Sequence, residues 1–414
     1  MRRLALFNLL HPASFFMAFY LVFLVLGPVF LLFFPQDLPL EFTGRTLGVI
    51  LLYGICFLLA AMAVPVMLGM RPARMKPVIL RVGSEWLAAG LVLWGLGAAA
   101  MMVFYLKAGG VPALASDVET ARVTMKQGLG RYILAGGGFF TIGLVYLHLL
   151  LTGRQQPSIF LRLLVWGLTG VAVILMMGIG FRAPAAFMLV TVVLARVILS
   201  EGYQRNNRLQ LRWVIFGVCL FVVLALVGYY RNTGQFALHV NIVIWPAIVH
   251  AGNLQTILSE FDNTGYFLGN SFVSDFMAAV PGVEGAFLGD YLKHLFDLDF
   301  RGGGMTVTAP GEGYVNFGMP GVILHALLLG LVGGFAYERL AGKADVQSRI
   351  LLLLISLNLA RMVTSGIMPV LFFGFLPLLV AWWIGRRLLA FLSDIRSRRQ
   401  PFREEALPCS GARG

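Results

Sequence analysis

Apolar residues dominate this chain in long, unbroken runs, and polar residues are confined to short stretches between them. Many of the runs approach the ~20 residues that a helix needs to cross the hydrocarbon core of a bilayer. Backbone groups in lipid find no water, so such runs must be helices that satisfy their own hydrogen bonds. The alternation of a membrane β-barrel is absent. The pattern predicts about ten spans, near 14–34, 46–68, 85–106, 132–152, 163–180, 184–199, 214–230, 320–337, 350–363 and 369–384. The expected fold class is all-α: one polytopic membrane bundle over 1–414, with no second domain. The first apolar run is too long for a cleavable leader and lacks a clear small-residue cleavage site.

Composition agrees with this pattern. Charged residues make up 12% of the chain and mean hydropathy is +0.84. A soluble domain carries roughly 25% charged residues. The net charge of +13 could suggest nucleic-acid binding, but its distribution opposes that reading. Of the 32 Lys and Arg, 21 fall at the N-terminus, in the loops after even-numbered spans and in the tail, against nine in the opposite loops. The excess of cations in alternate loops is the positive-inside pattern. It places both termini in the cytoplasm and makes 396–414 a basic tail suited to anionic lipid. The stretch 107–131, the turn at Arg182 and the long segment 231–319 then face outward. The last is rich in Gly, Phe and Tyr, and is expected to form short interfacial helices near 253–261, 272–280 and 291–296. The three cysteines and six histidines show no metal-ligand spacing, and no cofactor is expected.

Charges near the membrane are costly, so the outward arginines are the first candidates for function. Arg182 lies in a turn with almost no loop, Arg231 ends the seventh span, and Arg122 stands at helical spacing from Asp117 and Glu119. Arg361 lies toward the outward end of its span, and Arg301 opens a Gly-rich stretch that continues to Gly321. A guanidinium donates two parallel hydrogen bonds and keeps its charge, which suits a diphosphate. The alternative for each is interfacial snorkelling or pairing with an acid such as Asp117, Glu119 or Glu312. Glu312, just before an apolar helix, could deprotonate a hydroxyl or simply pair with an arginine. Tyr314 and neighbouring aromatics could stack on sugar rings or merely mark the membrane interface. His148 and His325 fall within spans and read as packed core residues, whereas His239 and His250 face outward as weak acid–base candidates.

Three stretches, taken in order, resemble the oligosaccharide repeat-unit polymerases, the Wzy-type O-antigen polymerases. They are Gly109-Gly110-Val111-Pro112-Ala113-Leu114 with Asp117, Ala121 and Arg122; Gly178-Ile179-Gly180-Phe181-Arg182; and Gly269-Asn270-Ser271 through Val280-Pro281 to Glu312-Gly313-Tyr314-Val315-Asn316-Phe317-Gly318. Ala309-Pro310 before the Gly-Glu and Phe181 in the arginine turn depart from the family's pattern. The resemblance implies a GT-C-like polymerase/ligase architecture. It also implies transfer of a growing glycan from undecaprenyl diphosphate to the next carrier-linked unit, on the periplasmic side and without a metal. In that scheme Glu312, Arg182 and Arg231 would be catalytic, and Arg122, Asp117, Arg361, Tyr314, Asn316 and Arg301 would bind substrate. Expected partners are the lipid-linked oligosaccharide, membrane lipids and a chain-length regulator, with no nucleic acid. The alternatives are an O-antigen ligase, for which an outward histidine would be the base, and a polysaccharide transporter or flippase.

Overall fold

A computed structural model of the chain describes residues 10–33, 42–69, 73, 75–80, 82–115, 117–124, 128–153, 156–200, 240–280, 283, 285–298 and 304–399, with isolated positions between 215 and 226. Among these residues every regular element is helical. Eight helices are long and apolar enough to cross a membrane: α1 (Pro12–Leu31), α2 (Gly44–Met67), α3 (Ser84–Ala108), α5 (Gly130–Gly153), α6 (Ile159–Met177), α11 (Ala309–Leu340), α12 (Val346–Ser365) and α13 (Ile367–Arg398). Between them lie α4 (Val118–Thr124), α7 (Arg182–Ile198), α8 (Val240–Thr264), α9 (Asn270–Ala279) and α10 (Leu288–Leu295). The chain is therefore a multi-pass helical membrane protein. The expected sixth span corresponds to α7, a shorter helix of 17 residues. The expected seventh lies largely outside the described residues.

Contacts between helix ends show the alternation of chain direction. At one end Arg349 donates to the carbonyls of Lys76 and Ala341 (2.6 and 2.9 Å), and Arg396 pairs with Glu85 at 2.7 Å. At the other, Arg45 donates to Leu258 O at 3.2 Å, Ala113 N to Gly178 O at 3.0 Å, and Ile367 N to Glu312 at 2.6 Å. The second group is the end that the charge count places outward.

Two apolar clusters build the bundle. One surrounds α5, which is buried on every side from Phe140 to Leu151, as an all-round apolar helix must be. Helices α3, α6 and α7 pack around it. The other joins α1, α2, α8 and α11. Helix α12 contributes residues to both and forms the partition between them. Leu51, Leu59, Phe160, Ile174, Leu324 and Trp383 remain exposed, an apolar surface suited to lipid. Without a hydrophobic drive between helices in lipid, close approach comes from small residues. Gly330 and Gly334 on α11 bring it against α2, where a Cβ at Gly334 would stand 2.8 Å from Ala61 O and one at Gly330 would fall on Phe57 O.

The segment between α7 and α11 departs from expectation. The helix expected at 253–261 is the C-terminal part of α8, a 25-residue element. Its far residues Ala247, Leu254, Ile257 and Phe261 are buried, so it is an integral wall of the bundle. Its polar residues have partners within the protein: Gln255 accepts from Thr43 N at 2.8 Å and from Thr46 Oγ1 at 3.2 Å.

The α2–α11 seam yields a prediction. Gly330→Leu forces two backbones apart and should lower stability by about 1–3 kcal/mol. Thermal unfolding in detergent checks this, against Gly167→Leu, whose Cβ meets nothing within 4 Å, as the control.

Candidate functional site

Helix α11 is two helices across a break. Thr308 caps its start, accepting from Gly311 N at 3.2 Å, with Pro310 in the first turn. After Asn316 the backbone leaves the helix: Phe317 takes φ −140 and Gly318 takes φ 62 with ψ −148. That positive φ favours glycine, and a Cβ at Gly318 would also meet the Tyr266 ring at 2.9 Å. The chain then restarts through Pro320, a residue suited to a first helical turn. The break reverses direction, so the backbones of Gly313 and Gly321 touch. Glu312 and His325 also meet, at 3.3 Å, although 13 residues in a straight helix would separate them by ~20 Å. Residues 309–316 thus form a two-turn re-entrant helix, where a loop leading into an uninterrupted span starting at Pro320 was expected. Irregular backbone within a bundle requires a protein cover. It has one here: Tyr314, Val315 and Asn316 are no more than 1% exposed.

Glu312 is buried. Its Oε2 accepts from Ile367 N, the first residue of α13, at 2.6 Å, and from His325 Nε2 at 3.3 Å. A carboxylate can only accept, so the histidine proton belongs on Nε2. The His325 Nδ1 meets the Tyr53 hydroxyl at 2.8 Å. Among the described residues no arginine is in contact with Glu312. It holds a helix N-terminus, where a negative charge is favoured. Gly366, at φ 76, lets the chain pass over it, with a Cβ position 3.1 Å from Glu312 Oε2.

Tyr314 and Asn316 are likewise engaged within the protein. The Tyr314 hydroxyl receives Arg45 Nη2 and lies 3.5 Å from the Tyr266 hydroxyl. Asn316 Oδ1 accepts from Gly269 N at 3.2 Å and Ser271 Oγ at 2.9 Å, while its Nδ2 donates to Glu312 O at 2.9 Å. The strand of chain leading down to Thr308 is tied to α8 through Thr306, which meets His250 Nδ1 at 3.1 Å and Asn253 Nδ2 at 2.7 Å. Burial lowers the His250 pKa to about 4, so it is neutral in ordinary conditions.

Arg361 sits one turn before the end of α12, partly buried. Its guanidinium lies 4.5 Å over the ring of Phe187 on α7. No carboxylate or hydrogen-bond acceptor pairs with it among the described residues. It faces Gly374, where a Cβ would stand 2.7 Å from Arg361 Nη1 and 2.6 Å from Asn358 Oδ1. That Asn358 oxygen is buried without a partner. Gly374 lies in a π-helical stretch of α13, Leu371–Phe375, a distortion frequent at functional sites. Arg182 is the first residue of α7, so Arg182 and Arg361 belong to neighbouring helices at the same end of the bundle. Asp117 caps α4, accepting from Thr120 N at 3.1 Å and Thr120 Oγ1 at 2.7 Å. Arg122 lies on α4, and only its backbone is described. Arg231, Arg301 and His239 lie outside the described residues.

The structure thus gathers Glu312, Tyr314 and Asn316 on the re-entrant helix, and sets Arg361 and Arg182 on the other side of the α12 terminus. Sequence reasoning missed three participants, Arg45, Tyr53 and Asp275, while His325, read as a core residue, is buried and hydrogen-bonded. Asp275 is 1% exposed and carries the only acid of α9. An acid alone among Phe272, Val273, Phe276 and Met277 was the available signal. Comparison with protein-family models, curated proteins and solved structures found no match to this chain.

Gly366→Ala tests the geometry at Glu312. The strained φ and the crowded carboxylate together should lower stability by about 1–3 kcal/mol. Glu312→Gln keeps the shape and one acceptor oxygen and should cost less in the same thermal assay.

Proposed function

We propose that this membrane protein is a glycosyltransferase that polymerises lipid-linked oligosaccharide repeat units. In this reading it transfers the growing glycan from undecaprenyl diphosphate to the next carrier-linked unit at the outer leaflet of a bacterial inner membrane. The observation that carries the reading is Arg361: a partly buried guanidinium with no carboxylate partner among the described residues, near the outward end of the bundle. An ionisable group held within a membrane bundle points to function. The ligand that balances it must be an anion able to reach that depth from the lipid side, which describes the diphosphate of a polyprenyl carrier. The ordered sequence elements that resemble the repeat-unit polymerases supply the rest of the reading.

The chemistry follows from the groups present. When the glycosidic bond to the diphosphate breaks, negative charge grows on the leaving oxygens. Arg361, with Arg182 from the neighbouring helix, stabilises that charge in a site of low dielectric. Glu312 holds the re-entrant helix against the start of α13, which shapes the wall beside Arg361. The hairpin of α9 and α10 covers this region and keeps water from the activated sugar.

One observation favours a second reading. A re-entrant helix together with π-helical stretches in α1 and α13 is also the kind of discontinuity from which transporters build substrate sites. A flippase for the same lipid-linked unit would leave repeat units unpolymerised on the cytoplasmic side when deleted. A polymerase deletion leaves single repeats displayed at the surface.

Deleting the gene should therefore remove long surface glycans and leave single repeats, and unchanged glycan lengths would sink the proposal. Arg361→Ala should reduce polymerisation by about 10²–10³-fold, as expected for losing one donor to developing charge. Arg361→Lys should restore only part of it, because a point charge replaces a bidentate fork. Both are read as glycan length distributions at matched protein levels.

A further inference from the structure

Glycosyl transfer to a sugar hydroxyl needs a group to accept the hydroxyl proton, and the described residues contain a carboxylate better suited to this than Glu312. Asp275, on α9, has its two oxygens in different circumstances. Oδ1 accepts from Leu288 N, the first residue of α10, at 2.6 Å, which fixes the direction of the carboxyl plane. Oδ2 is buried and has no hydrogen-bond partner among the described residues. An orphaned buried oxygen is costly, and natural proteins retain one where a ligand, an ion or a reaction uses it.

The surroundings are built with some care. The α9–α10 hairpin is locked by Ser274 Oγ, which donates to Ala286 O at 2.8 Å. It is pressed onto the start of α13 by Phe276 against Phe372 and Phe287 against Phe373, with ring centroids 5.6 and 5.1 Å apart. The first amide of that same helix is held by Glu312. Asp275 and Glu312 therefore flank one helix start. Glu312 holds two protein donors at Oε2 and anchors a helix start, whereas Asp275 holds one donor, at Oδ1, and its Oδ2 is buried without a partner among the described residues.

We propose that Asp275 is a catalytic residue of the transfer reaction, accepting the proton of the acceptor hydroxyl at Oδ2. This rests on the reading of the protein as a glycosyltransferase. In the step, the acceptor oxygen attacks the anomeric carbon of the donor glycan as its proton passes to Asp275. The bond between that carbon and the diphosphate oxygen breaks, and the electron pair leaves with the diphosphate. Asp275 releases its proton when the product departs.

The electrostatics agree with such a role. Burial raises the Asp275 pKa from 3.8 to about 6, against the hydrogen bond from Leu288 N, which lowers it. Two further acids, Glu312 on the re-entrant helix and Asp290 on α10, add to the rise. The other charged groups of α10, Lys293 and His294, lie in its last turn, away from the end that Asp275 caps. The start of α13, from Ile367 to Phe375, carries no charged side chain. A base with a pKa just below the working pH is ionised and still strong enough to take a proton.

The test uses the full-length protein in proteoliposomes with a lipid-linked oligosaccharide as the substrate, and single-turnover rates across pH. The wild type should lose activity as pH falls through about 6, the pKa at which Asp275 takes up a proton. Asp275→Asn should lose about 10²–10⁴-fold in rate while substrate binding persists. Asn can still accept the Leu288 amide, so the fold is retained and thermal unfolding verifies it. Asp275→Glu keeps a base with altered reach and should retain a residual rate whose acid limb is displaced. If the wild type elongates glycans and Asp275→Asn does so at the wild-type rate, Asp275 is not the base and the polymerase reading stands. Should Asp275→Asn fail to fold, a wild-type acid limb in Asp275→Glu overturns the assignment equally. A folded wild type that transfers nothing at any pH overturns both readings.

Discussion

The hydrogen bond from Ile367 N to the Glu312 carboxylate, 2.6 Å long, is the constraint on which the candidate-site end of this bundle depends. A carboxylate at 1% exposure survives only with donors around it, and here two reach it, with Tyr53 behind one of them. The amide belongs to the start of α13, the imidazole of His325 to the lower part of α11, and Tyr53 extends the chain to α2. One side chain on a two-turn helix therefore ties together three spanning helices. The reversal at Phe317 and Gly318 makes this possible, because it brings residues 13 apart in sequence into contact. Asn316 then fastens the end of the same short helix to Gly269 and Ser271, and Thr306 ties the chain before it to α8.

Around this fixed point the uncompensated groups collect on the far side of α12 and beneath the α9–α10 hairpin. The bundle leaves Arg361 without an acid among the described residues, and Asp275 with an oxygen that nothing occupies. Both are expensive in a medium with little water. A cation and an anion that do not pair with each other, placed at the same end of one bundle, suit a substrate that carries both a diphosphate and an acidic proton to lose. The functional reading is built on that complementarity.

The spans were legible in the sequence because crossing a bilayer imposes a length and a composition that few other constraints produce. Arg361 stood out for the same reason, as a charge where lipid allows few. The interior of 231–319 was less legible. Helix α8 reads as mixed because His250, Asn253 and Gln255 interrupt its apolar face, and each is polar only to meet Thr306, Thr43 or Thr46. The re-entrant helix was hidden for a different reason. Gly311, Gly313 and Gly318 look like turn residues, and one of them is; Gly313 instead permits backbone contact with Gly321, and Gly311 lies against the side chains of Leu254 and Ile257 on α8. The roles of Glu312 and Tyr53 depend on partners far away in sequence, such as His325 for Tyr53, 272 residues on, and no local pattern encodes such a pair.

The re-entrant arrangement can be measured directly. Cysteines are placed at Glu312 and His325, with Cys56, Cys219 and Cys409 replaced, and the protein in membranes is treated with the shortest bis-methanethiosulfonate reagent. The structure predicts efficient intramolecular cross-linking, detected as a linked peptide pair by mass spectrometry, because the two side chains meet at 3.3 Å. A continuous helix would hold them ~20 Å apart. Absence of the linked pair, with both cysteines shown to react singly, would contradict the re-entrant helix and the site built upon it.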